Sequence, residues 1–326
     1  MLRAEYSVRG PVPQDVIDCV EREMPAPGAG EVLLAMLAAP INPSDVLTLT
    51  GQYGALPPLP AVGGNEGVAR VAALGAGVTT VAVGDVVLMP VATGTWTTHT
   101  VTPAATLLRL PAGGDVQQLA MLTVNPPTAS LLLSEFVSLK AGDWVIQNAA
   151  NSGVGEYVIQ LARARGLRTV NVVRRADAVA PLEALGADVV LLDGPDLAPR
   201  VAAATGRAAI RLALDAVGGS ATDRLAQSVS VGGTVVNYGA LSGEACRIAP
   251  GALVFRNLAL RGFWLATWFR QSTPAQQMAL YGDLAQRIAR GELAARIHAT
   301  YPLARVKEAV AAAAAGGRDG KILLVP

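Results

Sequence analysis

A short segment near the middle of the sequence has the composition of a turn that binds phosphate groups. The segment Asn151-Ser152-Gly153-Val154-Gly155 follows a predicted strand ending at Asn148 and opens a predicted helix. Small residues let backbone N–H groups approach a pyrophosphate, which the positive end of the helix dipole stabilises. When the G-x-G-x-x-G motif is aligned to start at Ala150, its three glycine positions fall on Ala150, Ser152 and Gly155, so only the last is a glycine. Gly153 adds a second glycine between them. This weak motif gains weight from the second strand that ends about 20 residues later, and together they predict a dinucleotide-binding site.

Two arginines at the end of that second predicted strand indicate which dinucleotide binds. A carboxylate at this position would hydrogen-bond the ribose 2′-hydroxyl of NAD, but the sequence has Arg174 and Arg175. A guanidinium pair neutralises a 2′-phosphate and can bind it through two parallel hydrogen bonds. The pair therefore favours NADPH. The alternative interpretation is a solvated arginine pair without a ligand.

The composition excludes several other classes of function. The chain has 326 residues, 26 Lys+Arg against 25 Asp+Glu, two Cys and two His, so its net charge is +1. This balance gives no electrostatic reason to bind nucleic acid or an anionic membrane. Cys19, Cys246, His99 and His298 are too few for a cysteine-rich zinc site. The longest apolar run, 32–41, is too short to span a bilayer and no leader is evident, so we expect a cytoplasmic protein.

The elements that must position these groups form two contrasting patterns. From about residue 143 to residue 265, six short apolar strands alternate with helices, which predicts right-handed βαβ units and a parallel sheet with helices on both faces. The first 120 residues hold short β-like runs and a long irregular stretch over 42–67, rich in Pro and Gly. After residue 270, two helices and a terminal strand at 321–325 are expected to complete the first domain. The predicted domains are 1–120 with 267–326, and 121–266.

Two of these predictions concern local detail. Helical spacing over 115–133 is expected to be interrupted by Pro126-Pro127, because proline lacks the N–H that a helix interior needs. The apolar run 258–265 is expected to form the sixth strand of the parallel sheet.

This arrangement resembles the medium-chain dehydrogenase/reductase superfamily. The resemblance implies an α/β fold in which a GroES-like β-rich catalytic domain accompanies a doubly wound Rossmann domain. Zinc alcohol dehydrogenases of the superfamily carry a zinc-ligand His in a Gly-His-Glu sequence, but this chain has Gly64-Asn65-Glu66 at the matching place. No catalytic metal is therefore expected.

Among the zinc-free members, the chain resembles the NADPH-dependent 2-enoyl thioester reductases related to the mitochondrial fatty-acid synthesis enzyme. The resemblance implies reduction of the C2=C3 double bond of a trans-2-enoyl group carried by coenzyme A or acyl-carrier protein, and a homodimer. It runs over nearly the whole chain in order. The matching segments are Asn42-Pro-Ser-Asp45, Gly51-Gln-Tyr-Gly54, Leu59-Pro-Ala-Val-Gly-Gly-Asn-Glu-Gly-Val-Ala69, Leu122-Thr-Val-Asn-Pro126, Val145-Ile-Gln-Asn148, Asn151-Ser-Gly-Val-Gly155 and Leu260-Arg-Gly-Phe-Trp-Leu265.

The same resemblance implies roles for individual residues. Tyr53 is the expected proton donor, and a phenol suits that task because it is protonated at neutral pH and leaves no permanent charge in an apolar site. Asn125 is expected beside the nicotinamide ribose and the substrate, and Trp264 beside the nicotinamide. Tyr53 as a packed turn residue and Trp264 as a core residue remain open alternatives. The full set of expected cofactor contacts is Asn125, Asn151, Ser152, Gly153, Val154, Gly155, Arg174, Arg175, Tyr238, Gly239, Ala240, Leu241, Phe263, Trp264, Leu265 and Lys321.

Two other functions fit the same residues. A quinone or alkenal reductase would use this fold and hydride donor without recognising a thioester. A non-catalytic NADPH-binding protein would keep the fold alone, but it would have no need of Tyr53 and Asn125. The sequence favours the enoyl thioester reductase.

Overall fold

The computed structural model describes residues 1–91 and 93–326. Contacts between residues divide the chain into two compact units, Met1–Val124 with Leu280–Pro326, and Asn125–Ala279. We call them the first and the second unit. The predicted domain bounds, 1–120 with 267–326 and 121–266, stay a prediction, because compactness does not define which residues work together.

Strands and helices are numbered separately in chain order. The strands of the described residues are β1 (Leu2–Tyr6), β2 (Asp18–Glu21), β3 (Glu31–Ile41), β4 (Ala61–Val62), β5 (Val68–Leu74), β6 (Val86–Leu88), β7 (His99–Pro103), β8 (Trp144–Gln147), β9 (Arg168–Val173), β10 (Val189–Leu192), β11 (Ile210–Asp215), β12 (Thr234–Asn237), β13 (Ala259–Gly262), β14 (Ile297–Pro302) and β15 (Lys321–Val325). The helices are α1 (Pro43–Thr50), α2 (Val116–Ala120), α3 (Asn125–Leu132), α4 (Gly153–Ala164), α5 (Val179–Leu185), α6 (Leu197–Ala204), α7 (Gly219–Ser228), α8 (Pro250–Arg256), α9 (Leu265–Gln271), α10 (Pro274–Ala289) and α11 (Val306–Ala314).

The first unit is built around two sheets. A small antiparallel sheet has the order β2-β1-β4, and a larger one has the order β14-β15-β3-β5-β6, with β7 also paired to β3. Val32, Leu34 and Met36 alternate with less buried residues along β3, as expected of a strand with one face against a core. Their core includes Trp96, Ile322 and Leu324, so the terminal strand β15 helps to close it.

The second unit holds one fully parallel sheet with the order β10-β9-β8-β11-β12-β13. In sequence order within the unit, this is the 3-2-1-4-5-6 arrangement of the doubly wound dinucleotide-binding fold. The central strands are almost continuously buried, as in a parallel sheet covered on both faces. The predicted α/β fold, with a Rossmann sheet and a GroES-like β-rich part, is confirmed.

The structure corrects three local predictions. The stretch 42–67 contains α1, which starts at Pro43 because proline fits the first helical turn, where its missing N–H has no partner to lose. For the same reason, Pro126 and Pro127 lie in the first turn of α3 and do not interrupt a helix. The sixth strand ends at Gly262, and Leu265 already begins α9.

Among the helices in the described residues, none combines the length and the apolar character that a membrane crossing needs.

Candidate active site

The turn between β8 and α4 has the geometry that backbone recognition of a pyrophosphate requires. Ser152 is the N-cap residue of α4, and its side chain accepts a hydrogen bond from the backbone N–H of Gly155 (3.2 Å). A Cβ on residue 155 would lie 2.4 Å from the carbonyl oxygen of Ala150, so only glycine permits this close packing of helix and turn. The predicted segment 151–155 therefore opens a helix at the carboxyl end of the first strand of the sheet, where this fold binds phosphates.

A buried amide behind the turn holds it to the sheet. Gln147 Nε2 donates to the carbonyl oxygen of Gly155 (2.9 Å) and to Asn171 Oδ1 (2.8 Å) on β9. Asn171 in turn donates to Thr169 Oγ1 (2.9 Å). The sequence analysis assigned no role to Gln147 or Asn171. The available signal was an amide side chain inside an otherwise apolar buried strand, which must find partners there.

One carboxylate ties together the ends of three neighbouring strands. Asp215, at the end of β11, is fully buried and accepts from Asn148 Nδ2 (2.6 Å) after β8 and from Asn237 Nδ2 (3.1 Å) on β12. It also accepts from the Thr222 hydroxyl (2.7 Å) and from the backbone N–H groups of residues 217 and 218 (2.9 and 3.1 Å). Sequence reasoning missed this network as well. It joins the carboxyl ends of three strands of the parallel sheet next to the turn that opens α4.

The predicted arginine pair lies directly after β9. Arg174 is exposed and has no ion-pair or hydrogen-bond partner among residues 1–91 and 93–326. Arg175 is less exposed, and its Nε lies 3.1 Å from Asp177 Oδ1. The two guanidinium groups are therefore not equivalent, and Arg174 is the one that can bind a phosphate without giving up an ion pair.

The loop after β12 contains the predicted residues 238–241. The Tyr238 N–H donates to the carbonyl oxygen of Asp215 (2.9 Å), and a Cβ on Gly239 would come within 2.8 Å of the Ala216 carbonyl oxygen. The Tyr238 hydroxyl is buried and faces Ser152, and burial raises the pKa of this phenol far above its usual value. Leu241 is exposed. The structure thus brings the predicted residues Ser152 and Tyr238 together.

Residues 263–265 connect β13 to α9, and none of them belongs to the core. Phe263 packs edge-on against Phe136, with ring centroids 6.0 Å apart, and the Arg270 guanidinium lies over the Trp264 ring at 5.0 Å. Trp264 is partly exposed, so its interpretation as a core residue is wrong. Leu265 is also partly exposed, at the start of a helix that buries no residue.

Asn125 and Tyr53 belong to different units. Asn125 is buried and is the first residue of α3 in the second unit. Tyr53 follows α1 in the first unit, where its N–H donates to the carbonyl oxygen of Leu47 (3.1 Å). Gly51 ends this helix with a φ of 79°, a backbone conformation that suits glycine. The turn that carries Tyr53 is therefore continuous with the last turn of α1.

A cluster of buried polar and charged side chains surrounds the start of α1. Asn42 donates through Nδ2 to Glu66 Oε1 (2.5 Å) and through its backbone N–H to Asp45 Oδ2 (2.7 Å). Asn65, at the place of the zinc-ligand His, donates to Asp45 Oδ1 (2.7 Å). Lys321, an expected cofactor contact, is buried here and its Nζ donates to Asn42 Oδ1. We call Asn42, Asp45, Asn65, Glu66 and Lys321 the buried charged cluster.

Burial shifts the titration of this cluster towards neutral forms. It raises the pKa of Asp45 to about 6 and that of Glu66 to about 7, although hydrogen bonds and the charge of Lys321 act in the opposite direction. Burial likewise lowers the pKa of Lys321, and the two carboxylates partly offset this. One lysine thus faces two carboxylates that titrate close to neutral pH.

These residues do not fit a catalytic zinc. The ammonium of Lys321 already lies among the carboxylates and would repel a second cation. Within the part of the chain that the structure describes, His, Cys, Asp and Glu side chains nowhere form a group of three that could hold a metal ion. Asn65 in place of His removes the nitrogen ligand that zinc prefers.

The parallel sheet, the glycine turn that opens α4 and the β-rich unit with Gly64-Asn65-Glu66 define a medium-chain dehydrogenase/reductase whose residues do not fit zinc. The family model of the alcohol dehydrogenase GroES-like domain matches residues 28–112, and that of the zinc-binding dehydrogenase matches residues 153–281. The human mitochondrial enoyl-[acyl-carrier-protein] reductase is 41% identical over 306 residues, which cover 92% of this chain and 82% of that protein. The chain therefore belongs to the enoyl-[acyl-carrier-protein] reductase family, as the sequence motifs predicted.

Solved structures give the same picture of the fold. A complex of Etr1p, a mitochondrial 2-enoyl thioester reductase from Candida tropicalis, with NADP and crotonyl-CoA has a TM-score of 0.89 at 26% identity. It covers 100% of this chain and 99% of that one. A putative NADPH:quinone reductase from Bacillus thuringiensis has a TM-score of 0.90 at 29% identity. The match covers 100% of this chain and 98% of that one. The fold is thus shared by both reductase classes.

Proposed function

We propose that the protein reduces the C2=C3 double bond of trans-2-enoyl thioesters with NADPH. The observation that carries this proposal is the 41% identity to an enoyl-[acyl-carrier-protein] reductase over 92% of the chain. The motif that distinguishes the family, with Asn65 in place of a zinc-ligand His, lies within the aligned range. Its environment in the buried charged cluster suits chemistry without a metal.

NADPH fits the residues of the second unit. The segment 151–155 would hold the pyrophosphate through backbone N–H groups, since a side chain on residue 155 would clash with Ala150. Arg174 would bind the 2′-phosphate, because its guanidinium has no competing partner among the described residues. NADPH, when bound, supplies the hydride that Cβ of the substrate receives.

Tyr53 would supply the proton that Cα needs. The O–H bond of its phenol breaks as the new C–H bond forms, and the phenolate then takes a proton from solvent, which its partial exposure allows. A phenol suits this step because it is protonated at neutral pH and can donate to Cα, where hydride addition at Cβ places negative charge. Asn125 offers a neutral amide for positioning, and its burial limits the number of orientations that it can adopt.

A quinone or alkenal reductase is the second candidate, favoured by the TM-score of 0.90 to the putative quinone reductase. Oxidation of NADPH should be measured with crotonyl-CoA, a C10 enoyl-CoA and 1,4-benzoquinone. We expect turnover of the enoyl thioesters, and the same assay with acyl-carrier-protein substrates tests the carrier. Turnover of quinone alone would overturn the proposal in favour of the second candidate. Binding of NADPH without any turnover would favour a non-catalytic protein.

We also propose a homodimer formed through the free edge of the parallel sheet. All four residues of β13 are exposed, and so are apolar side chains of α8, the helix that precedes it in the chain. Phe255 is 85% exposed, Val254 71% and Leu260 42%. An unpaired strand edge flanked by apolar residues is suited to association with a second copy. Light scattering should give twice the mass of the chain, and Leu260→Arg should give monomers while Met278→Arg, at another exposed site, should not.

The cytoplasmic location expected from the sequence stays a prediction. The human relative is named as a mitochondrial protein, so a cytoplasmic location does not follow from it. Fractionation of the source cells tests it.

A further inference from the structure

We propose that Glu66 is a positioning residue whose two carboxylate oxygens fix the two chain segments that lead to Tyr53 and Asn125, with Lys321 as its counter-ion. The inference rests on the proposed function for the roles of Tyr53 and Asn125. Glu66 itself is fully buried in the first unit, and each of its oxygens accepts a hydrogen bond from the protein. It is therefore not placed to touch a substrate.

The first oxygen holds the start of the helix that carries Tyr53. Glu66 Oε1 accepts from Asn42 Nδ2 (2.5 Å), and Asn42 is the N-cap residue of α1. The helix is only eight residues long, and its last turn continues into the turn of Tyr53, whose N–H donates to the carbonyl oxygen of Leu47 (3.1 Å). A short helix moves as one body, so a displacement of its N-cap residue displaces Tyr53.

The second oxygen holds the segment that precedes Asn125. Glu66 Oε2 accepts from the backbone N–H of Val124 (2.9 Å), and Val124 is joined to Asn125 by the next peptide bond. The residue before it, Thr123, is held as well, because the buried hydroxyl of Tyr281 donates to its carbonyl oxygen (2.8 Å). The backbone that enters α3 is thus fixed at two successive residues.

The charges of the cluster argue against a purely stabilising role. Taking Glu66, Asp45 and Lys321 out of water has a large cost, and an apolar residue of similar volume often stabilises a protein as well as a buried ion pair does. An apolar residue, however, could not accept hydrogen bonds from Asn42 and Val124 at once. The Thr95 hydroxyl fixes the backbone of Glu66 as well, since it donates to the Glu66 carbonyl oxygen (2.8 Å). A role in holding the segments of Asn42 and Val124 in place therefore explains the buried charge best.

Lys321 completes this arrangement from the far end of the sequence. Its Nζ donates to Asn42 Oδ1, so that one amide connects the ammonium and the Glu66 carboxylate. Lys321 begins β15, a strand paired with β3 near Ile41, and this pairing brings it next to Asn42. The positive charge is thus supplied by a strand of the core and needs no metal ion.

The test compares Glu66→Ala, Glu66→Gln and a matched core variant, Leu34→Ala, which lowers stability in the same unit without touching the cluster. We expect kcat with NADPH and crotonyl-CoA to fall about 10²-fold in Glu66→Ala, as for a small displacement of reacting groups. Glu66→Gln keeps one accepting oxygen, so its kcat should be about tenfold higher than that of Glu66→Ala. Leu34→Ala should keep kcat within about twofold of the wild type despite its lower Tm.

Hydrogen exchange provides a readout that does not depend on turnover. The Val124 amide should exchange slowly in the wild type and in Leu34→Ala, and faster in both Glu66 variants, as should the amides of α1. Wild-type kcat in Glu66→Gln with slow exchange at Val124, or fast exchange of this amide in the wild type, would overturn the inference. If the wild-type protein reduces no enoyl thioester, the proposed function is overturned. Hydrogen exchange then still tests whether Glu66 holds the segments of Asn42 and Val124.

Discussion

The two units each contain one buried carboxylate that organises functional segments, but the two carboxylates are held in opposite ways. Asp215 in the second unit accepts hydrogen bonds from neutral amides, a hydroxyl and backbone N–H groups of its own sheet edge. Glu66 in the first unit lies close to a second carboxylate, Asp45, and to the ammonium of Lys321. The two units thus differ in how they hold the segments proposed to act. Neutral donors fix the sheet edge proposed to bind the cofactor, whereas the charged cluster holds the segments proposed to do the chemistry.

The largest expected effect comes from removing the proton donor. Tyr53→Phe should lower kcat about 10²-fold or more, because the phenyl ring cannot give a proton to Cα. The dissociation constant for NADPH, measured by fluorescence, should stay unchanged, since Tyr53 is not among the expected cofactor contacts. Steady-state kinetics with crotonyl-CoA provide the test. An unchanged kcat would show that Tyr53 is not the proton donor, and it would contradict the proposal that the first unit supplies a catalytic group.

The complementary change belongs to the second unit and should affect binding alone. Arg174→Ala should raise KM for NADPH about tenfold, as expected for the loss of a charge-assisted hydrogen bond to a phosphate, and should leave kcat nearly constant. KM for NADH should not change, because NADH has no 2′-phosphate. A matched control is Arg207→Ala, which removes an exposed arginine from another loop. Equal losses with both cofactors would contradict the predicted role of Arg174.

The sequence predicted the second unit better than the first. Strands β9 and β11 lie within the predicted alternation of strands and helices, because each is mostly apolar, lies between turn residues and has its partners within the same repeating pattern. The buried charged cluster could not be predicted in this way. Lys321 and Asn42 lie 279 positions apart, and only the pairing of β15 with β3 brings them together.

Two misassigned elements have local causes. The start of α1 carries Asn42 and Pro43, which are signals for a turn as well as for the start of a helix, and eight residues give too little periodicity to decide. Apart from Arg261, the segment 258–265 carries no charged or polar side chain, so its change from strand to helix at Leu265 has no counterpart in the hydrophobic pattern. The turn 151–155 and the arginine pair were predicted from residue chemistry, and Tyr53 and Asn125 from the family resemblance. The roles of Gln147, Asp215 and Glu66 required the structure.

A pH-dependent effect sharpens the comparison of the two carboxylates. Burial raises the pKa of Glu66 from 4.5 to about 7, so below pH 7 the folded state holds a proton that the unfolded state releases above pH 4.5. The stability that this gives is fully present below pH 4.5 and is lost as pH rises through 7. Three ionisable groups face Glu66: Asp45 on α1, Lys321 on β15 and Tyr281 on α10. Arg318 acts on it through Lys321.

The measurement compares the free energy of unfolding of the wild type and of Glu66→Gln between pH 5 and pH 8. We expect the wild type to lose stability relative to the variant as pH rises, by on the order of 1 kcal/mol or more. Asp215→Asn serves as a control in the second unit, because that carboxylate has neutral donors around it. A difference between wild type and Glu66→Gln that does not change with pH would show that Glu66 keeps one protonation state throughout.

The smallest effect concerns the arginine that already has a partner. Asp177 lies 3.1 Å from the Nε of Arg175, and both side chains are largely exposed, so the pair contributes little to stability. Asp177→Ala removes a carboxylate whose negative charge would repel a 2′-phosphate bound to the neighbouring Arg174. KM for NADPH should therefore fall, by about twofold, while Tm and KM for NADH stay constant. A rise in KM for NADPH would mean that the ion pair orients Arg175 towards the phosphate and that the two arginines act together, which contradicts the assignment of this role to Arg174 alone.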